Sequence, residues 1–171
     1  GSGPVIDAAS AKLAFQSAYP RLTHAQWENT TRDLLKLDAV PGLSASFTSD
    51  PLGGIFDNDE SVLQVTSPLW ADYQRAAEEL AAMMIADPQK LAKIVPPDMG
   101  QSLDARARQF ITEFGRRTYR RPLTAQEIDA HAALFASGAT VLGGDPFLSG
   151  MQLVLEAFLQ SPHFVYLVEQ G

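Results

Sequence analysis

An all-α bundle of six or seven helices with one long ordered loop is the fold this sequence predicts, and three observations predict it. Ser67-Pro68, Asp145-Pro146 and Ser161-Pro162 each pair an N-cap residue with a proline at the first helical position, where a missing N–H is harmless. Thr23-His24-Ala25-Gln26 and Thr124-Ala125-Gln126-Glu127 have the spacing of capping boxes. No alternating apolar and polar run of useful length competes as a strand.

The elements follow in order. Asp7 to Tyr19 is alanine-rich around Leu13 and Phe15 and reads as a first helix, stopped by Pro20. A second helix runs from the Thr23 cap to about Leu37, with Trp27, Thr31, Leu34 and Leu35 inward and Asn29, Arg32, Asp33 and Lys36 outward. From Asp38 to Thr66 helical periodicity is lost, and a loop of that length in a compact domain usually has a job or is disordered. Ser67 to Ala86 is helical again, with Leu69, Tyr73, Ala76, Leu80 and Met83 or Met84 on one stripe.

Asp87-Pro88 starts a short helical piece that Val95-Pro96-Pro97 breaks. Leu103 to Tyr119 is amphipathic through Leu103, Ala107, Phe110, Ile111 and Phe114, and Arg121-Pro122 ends it. The helix after Thr124 buries Ile128, Ala132 and Phe135, with Gly138 as its stop. The helix opened by Asp145-Pro146 buries Phe147, Met151, Val154, Leu155 and Phe158. A last turn follows Ser161-Pro162. Three divisions result: 1–20, where Gly1-Ser2-Gly3 reads as a cloning scar before the first helix; 21–100 with the long loop; and 101–171, all within one compact unit.

With 171 residues the chain buries roughly 70% of its unfolded surface and needs no staples. The absence of cysteine excludes disulfides, thiolate metal sites, a thiol nucleophile and covalent haem attachment within it. A net charge of -7 argues against nucleic acid as a partner, and no apolar run approaches the roughly 18 residues of a membrane span. Neither nucleic acid nor membrane insertion is therefore expected.

Four groups of residues raise the question of chemistry. Gly53-Gly54-Ile55-Phe56-Asp57-Asn58-Asp59-Glu60-Ser61 reads first as a turn with Phe56 as a core plug. Its alternative is an irregular calcium site on Asp57, Asn58 and Asp59; the helix-loop-helix calcium template fails, with Val62 in the glycine place and Pro68 in the glutamate place. No other cofactor is expected. Arg116, Arg117, Arg120 and Arg121 crowd one helix end, as a paired or solvated cluster or as an anion site. A lock between this cluster and Asp57 or Asp59 is a further expectation. His24 and His131 read as surface or helix-start residues and His163 as a hydrogen-bonded one among aromatics. Trp70 and Tyr73 are candidates for a stacking platform, against a packing role.

These residues carry a resemblance. Arg21-Leu22-Thr23, Trp27, Asn29-Thr30, Arg32-Asp33-Leu34-Leu35, Phe56-Asp57-Asn58 and Ser67-Pro68 resemble one PSD-type domain of unknown function, with Trp27 in place of a more usual tyrosine. Phe114-Gly115-Arg116-Arg117, Tyr119-Arg120-Arg121-Pro122-Leu123-Thr124 and Glu127 resemble a second. Gly150, Ser161-Pro162-His163-Phe164, Tyr166 and Glu169 resemble the opening of a third. Such domains build large exported proteins of planctomycetes and myxobacteria, often joined to c-type cytochrome domains. The resemblance implies an excerpt of a longer chain in a periplasmic or cell-surface setting. Members often carry a cysteine pair near the positions of Pro97 and Arg106, which is absent here, and the family brings no catalytic residues to carry over.

The expected function is a non-catalytic binding or assembly module of a larger exported protein. Its partner would be a polysaccharide or a neighbouring domain, and Trp70, Tyr73, Arg116, Arg120 and His163 are the ligand-binding candidates. One alternative is a partial site of an exported enzyme or electron-transfer protein, in which Arg116, Arg120, Asp57 and His163 converge. The other is a purely structural scaffold.

Overall fold

A computed structural model describes residues 20–49 and 65–167. The predicted helix over 7–19, the segment with Phe56, Asp57, Asn58 and Asp59, and Glu169 lie outside the described residues. The described chain is all-α, as the caps and periodicity predict; its one β-like feature is an isolated bridge between Arg21 and Tyr166.

Helix α1 spans His24–Leu35. Its capping box forms in both directions, Gln26 N donating to Thr23 Oγ1 at 3.1 Å and Thr23 N to Gln26 Oε1 at 2.9 Å. Trp27, Thr31, Leu34 and Leu35 are buried as their spacing predicts. Lys36 ends the helix in the left-handed region at φ 55°, and Leu37 N closes back on Arg32 O at 2.9 Å.

The described part of the long loop is held by two buried carboxylates. Glu28 on α1 accepts Gly42 N at 2.8 Å and Ser44 N at 2.7 Å, fixing a 3-10 turn over Leu43–Ser46. Asp72, on the next helix, accepts Thr48 N at 2.6 Å and Thr48 Oγ1 at 2.7 Å and also pairs with Arg75. Burial pushes the Asp72 carboxyl up, but the bonds from Thr48 and Arg75 outweigh it and leave it below its ordinary value. Between these anchors Phe47 enters the core edge-on to Trp27, 4.8 Å away, and to Tyr73, 5.4 Å away. Within the described residues the loop's aromatic plug is thus Phe47.

Helix α2 spans Ser67–Ala86. Its N-cap is Thr66, whose hydroxyl accepts Leu69 N, and not Ser67; the cap sits one residue earlier because Pro68 still falls in the first turn. Leu69, Tyr73, Ala76, Leu80 and Met84 form the buried stripe, and Met83 is half-buried. Helix α3, Pro88–Ala92, starts on the Asp87 carboxylate, which accepts Gln89 N and Lys90 N.

Helix α4 spans Leu103–Tyr119 behind the Ser102 cap. Ala107, Phe110, Ile111 and Phe114 are buried, but Leu103 is 46% exposed: at the first helical position it projects past the core. Helix α5, Ala125–Ala136, opens on the second capping box and buries Ala132 and Phe135, with Ile128 half-buried. Gly138 does not terminate a helix by a left-handed turn; it begins α6, Gly138–Leu142. It is glycine because a Cβ there would lie 2.4 Å from Gly150 N and 2.6 Å from Gly150 Cα.

Helix α7, Pro146–Leu159, starts on Asp145, and α8, Pro162–Val165, on Ser161. The sequence α7 presents, with Met151, Val154, Leu155 and Phe158 all fully buried, explains its central place. It packs most broadly on α2 and also touches α4, α5, α6 and α8. The chain before α1 is joined to the end of α8 and the residues just beyond it by Leu22 N to Val165 O, 2.9 Å, and Leu167 N to Pro20 O, 2.8 Å. No helix among the described residues is long and apolar enough to cross a membrane.

Candidate functional site

The densest polar chemistry lies where α4 ends, where Tyr119-Arg120-Arg121-Pro122 turns the chain toward α5. Arg120 takes the left-handed conformation at φ 58°, so successive side chains here diverge onto different neighbours. Arg117 reaches the end of α1 and donates to Asp33 O at 3.1 Å and Leu34 O at 3.0 Å, satisfying carbonyls that the helix leaves open. Arg120 does the same for α8, donating to His163 O at 3.4 Å and Phe164 O at 3.3 Å; burial draws its guanidinium below the ordinary value.

Arg121 forms a two-pronged ion pair with Glu127, at 2.7 and 2.8 Å. Glu127 is also the second half of the α5 capping box, accepting Thr124 N at 2.8 Å. Above all the Arg121 bonds hold its carboxyl down, to about 2, against a burial effect of opposite sign. Arg121 is raised in turn by Glu127 and lies over the Tyr119 ring, 5.3 Å from its centroid.

His163 stacks on the other part of this arrangement, its ring 4.5 Å from Tyr119. Its Nδ1 is 3.5 Å from the Arg121 guanidinium and its Nε2 3.9 Å from Glu127 Oε2. Burial lowers the affinity of His163 for a proton, and the adjacent Arg121 lowers it further, which keeps the ring neutral at pH 7. Tyr119 is raised by burial and meets Ser161 Oγ at 3.4 Å. His131, expected at the surface, instead stacks on Phe158 at 4.2 Å with Nδ1 2.8 Å from Glu127 O; its place three residues after Ile128 puts it on the inward stripe.

This geometry groups some of the sequence candidates and separates others. Arg120 and His163 come together. Arg116 points to solvent. Trp70 is half-buried, its ring 6.0 Å from Tyr73 and 6.4 Å from Tyr166. Tyr73 is 0% exposed, so it offers no ring face to a surface ligand; it is packed between Trp27, Phe47 and Trp70. Asp57, Asn58 and Asp59 lie outside the described residues, and so does any lock between them and the arginines. Among the described residues no three His, Cys, Asp or Glu side chains are grouped to hold a metal. A shallow hollow of about 70 Å³ lies between the 3-10 turn and α2, lined by Leu43, Ser46, Phe47, Asp72, Arg75 and Glu79.

In this junction the carboxylate is held ionised, the imidazole neutral and the phenol protonated at neutral pH. Sequence reading identified Glu127 as a cap and Arg121 as part of a cluster but missed that they pair. The signal was present, since a capping-box glutamate placed one turn after an arginine-proline corner is within reach of that arginine.

The class so defined is an all-α module whose concentrated charges bind its own helix ends. Comparison with known families then finds a match in each of two stretches. Residues 20–86 match the family model PSD3, a protein of unknown function (DUF1587), and residues 106–169 match PSD5, a protein of unknown function (DUF1595). Two stretches of the chain are thus similar to PSD-type domains of unknown function. The second match runs through Glu169, so the Ser161-Pro162-His163-Phe164 segment, expected to open a third domain, falls within it. No curated protein and no solved structure matches the chain.

Proposed function

We propose that the chain is a non-catalytic assembly module of a larger, exported protein, with neighbouring domains as its partners. One observation carries the reading: three of the four arginines in Arg116 to Arg121 are engaged internally, on the carbonyls that end α1 and α8 and on Glu127. Residues kept for a ligand usually cost stability, whereas these complete hydrogen bonds that the fold would otherwise leave open. The exported setting is supported by the sequence resemblance alone.

A double-mutant cycle tests it. Arg121→Gln and Glu127→Gln are each expected to lower the midpoint of thermal unfolding, and the double variant to lose less than the sum, with a coupling of about 1–2 kcal/mol. Variants that keep or gain stability would mean the pair is held for a ligand, and the assembly reading would fail.

A second reading, polysaccharide binding, is favoured by the partial exposure of the Trp70 indole, since flat aromatic faces bind the C–H surfaces of sugars. Saturable depletion of the chain by cellulose, chitin or xylan, abolished by Trp70→Ala, would support it. Uniform absence of depletion would remove it.

A further inference from the structure

We propose that proton uptake by His163 opens the backbone clasp that joins the segment before α1 to α8 and the residues just beyond it. The clasp is small. Leu22 N donates to Val165 O at 2.9 Å, Leu167 N donates to Pro20 O at 2.8 Å, and Arg21 faces Tyr166 across the isolated bridge. His163 stands two residues before Val165 in a helix of four residues, so the ring and the clasp share one short turn.

The titratable groups around this turn are mostly cationic. From the end of α4 and the corner after it come Tyr119, stacked on the ring at 4.5 Å, Arg121, whose guanidinium lies 3.5 Å from Nδ1, and Arg120, which donates to His163 O and Phe164 O. From α5 come Glu127, with Oε2 3.9 Å from Nε2, and His131, whose charge opposes a proton on His163. The segment before α1 brings Arg21, buried and donating to Leu22 O. Glu156 is the one titratable residue of α7, and its charged neighbour is Glu78 on α2.

A neutral ring fits this setting and a charged one does not. With its proton on Nε2, toward Glu127, the imidazole leaves Nδ1 to accept from Arg121; a second proton on Nδ1 sets two cations 3.5 Å apart. Glu127 cannot offset both, because Arg121 already takes its two oxygens at 2.7 and 2.8 Å and Thr124 N takes Oε1 again at 2.8 Å. Burial and then Arg121 lower the proton affinity of the ring, so the closed clasp is supported above the ordinary histidine value of 6.5 and loses that support as pH falls below it. The way out is short. The His163 side chain is 30% exposed, and the Arg120 bonds that hold its turn, at 3.4 and 3.3 Å, exceed the ordinary range of about 2.7–3.2 Å. Opening bares Leu22, Val165 and Tyr166, all buried while the clasp is closed.

Amide hydrogen exchange of the full chain, followed residue by residue by nuclear magnetic resonance at about pH 7.5 and about pH 5.5, tests the proposal. Corrected for the intrinsic effect of pH on exchange, protection of Leu22 N and Leu167 N is expected to lie below that of Leu80 N, inside α2, and to fall about tenfold at the lower pH. His163→Gln, which takes up no proton, is expected to hold both amides at one level across the interval. The Cε1 proton of His163 should titrate below 6.5 in the unaltered chain. The proposal is overturned by constant protection in the unaltered chain, by an equal fall in His163→Gln, or by titration of His163 above 6.5. Protection at Leu22 and Leu167 equal to that at Leu80 would also overturn it, by showing that the clasp opens only when the whole molecule unfolds. Glu127 titrates toward about 2, well below this interval, so the stability cycle at Arg121 and Glu127 reads a separate event.

Discussion

Glu127→Gln is expected to destabilise the chain by about 2 kcal/mol at pH 7 and by almost nothing in strong acid. The magnitude starts from the depression of the Glu127 carboxyl from 4.5 to about 2. At about 1.4 kcal/mol per unit this gives about 3 kcal/mol, reduced because both partners retain some contact with water. The sign follows from linkage. The folded chain binds this proton less tightly than the unfolded one, so the contribution is complete above 4.5 and is lost as pH falls toward about 2. Urea denaturation of wild type and variant at several pH values should therefore show a gap that closes across that interval. A gap independent of pH would assign the loss to packing and not to the ion pair.

Gly138→Ala should cost about 3 kcal/mol, a large effect for one methyl group. Its new Cβ would meet the backbone of Ser149 and Gly150 at 2.4 to 2.6 Å, and backbone cannot rotate away as a flexible side chain would. Gly150 is constrained on its own other side, since a Cβ there would lie 2.6 Å from Phe135 O. Helix propensity alone predicts the opposite outcome, because alanine favours a helix over glycine by up to about 1 kcal/mol. A fall in the denaturation midpoint therefore measures the close approach of α6 to α7, and a rise would refute it.

What the sequence made legible is local. The capping boxes at Thr23 and Thr124 and the aspartate or serine starts at Asp87, Asp145 and Ser161 form as expected, because each needs partners only two or three residues away. The inward stripes hold for the same reason, with Leu103 the exception at a helix end where periodicity overruns the core. Gly138 was legible as a break but not as a contact, since the neighbour that demands glycine is another backbone.

The candidate site was legible as a list of residues and not as an arrangement. Nothing near Glu28 in sequence announces that it will hold Gly42 and Ser44, and nothing near Asp72 announces Thr48. Both carboxylates act across a loop, and that pairing is decided by how α1 and α2 pack. The arginines likewise chose partners that lie on α1, α5 and α8. His131 could have been placed correctly from its register with Ile128, had the stripe been drawn wide enough to include it.

The PSD3-like and PSD5-like segments are expected to unfold as two parts of one structural unit, joined by α2 on α7, Arg117 on α1 and the bond from Leu22 N to Val165 O. Trp27 and Trp70, the two tryptophans, both lie in the first segment, while Gly138 lies in the second. Urea unfolding of Gly138→Ala followed by tryptophan fluorescence and by far-ultraviolet circular dichroism therefore shows whether the two segments unfold together. The prediction is a single transition, with the tryptophan midpoint lowered as far as the helical one. A tryptophan transition left at the wild-type midpoint, with only part of the helical signal lost early, would show two independent domains and contradict it.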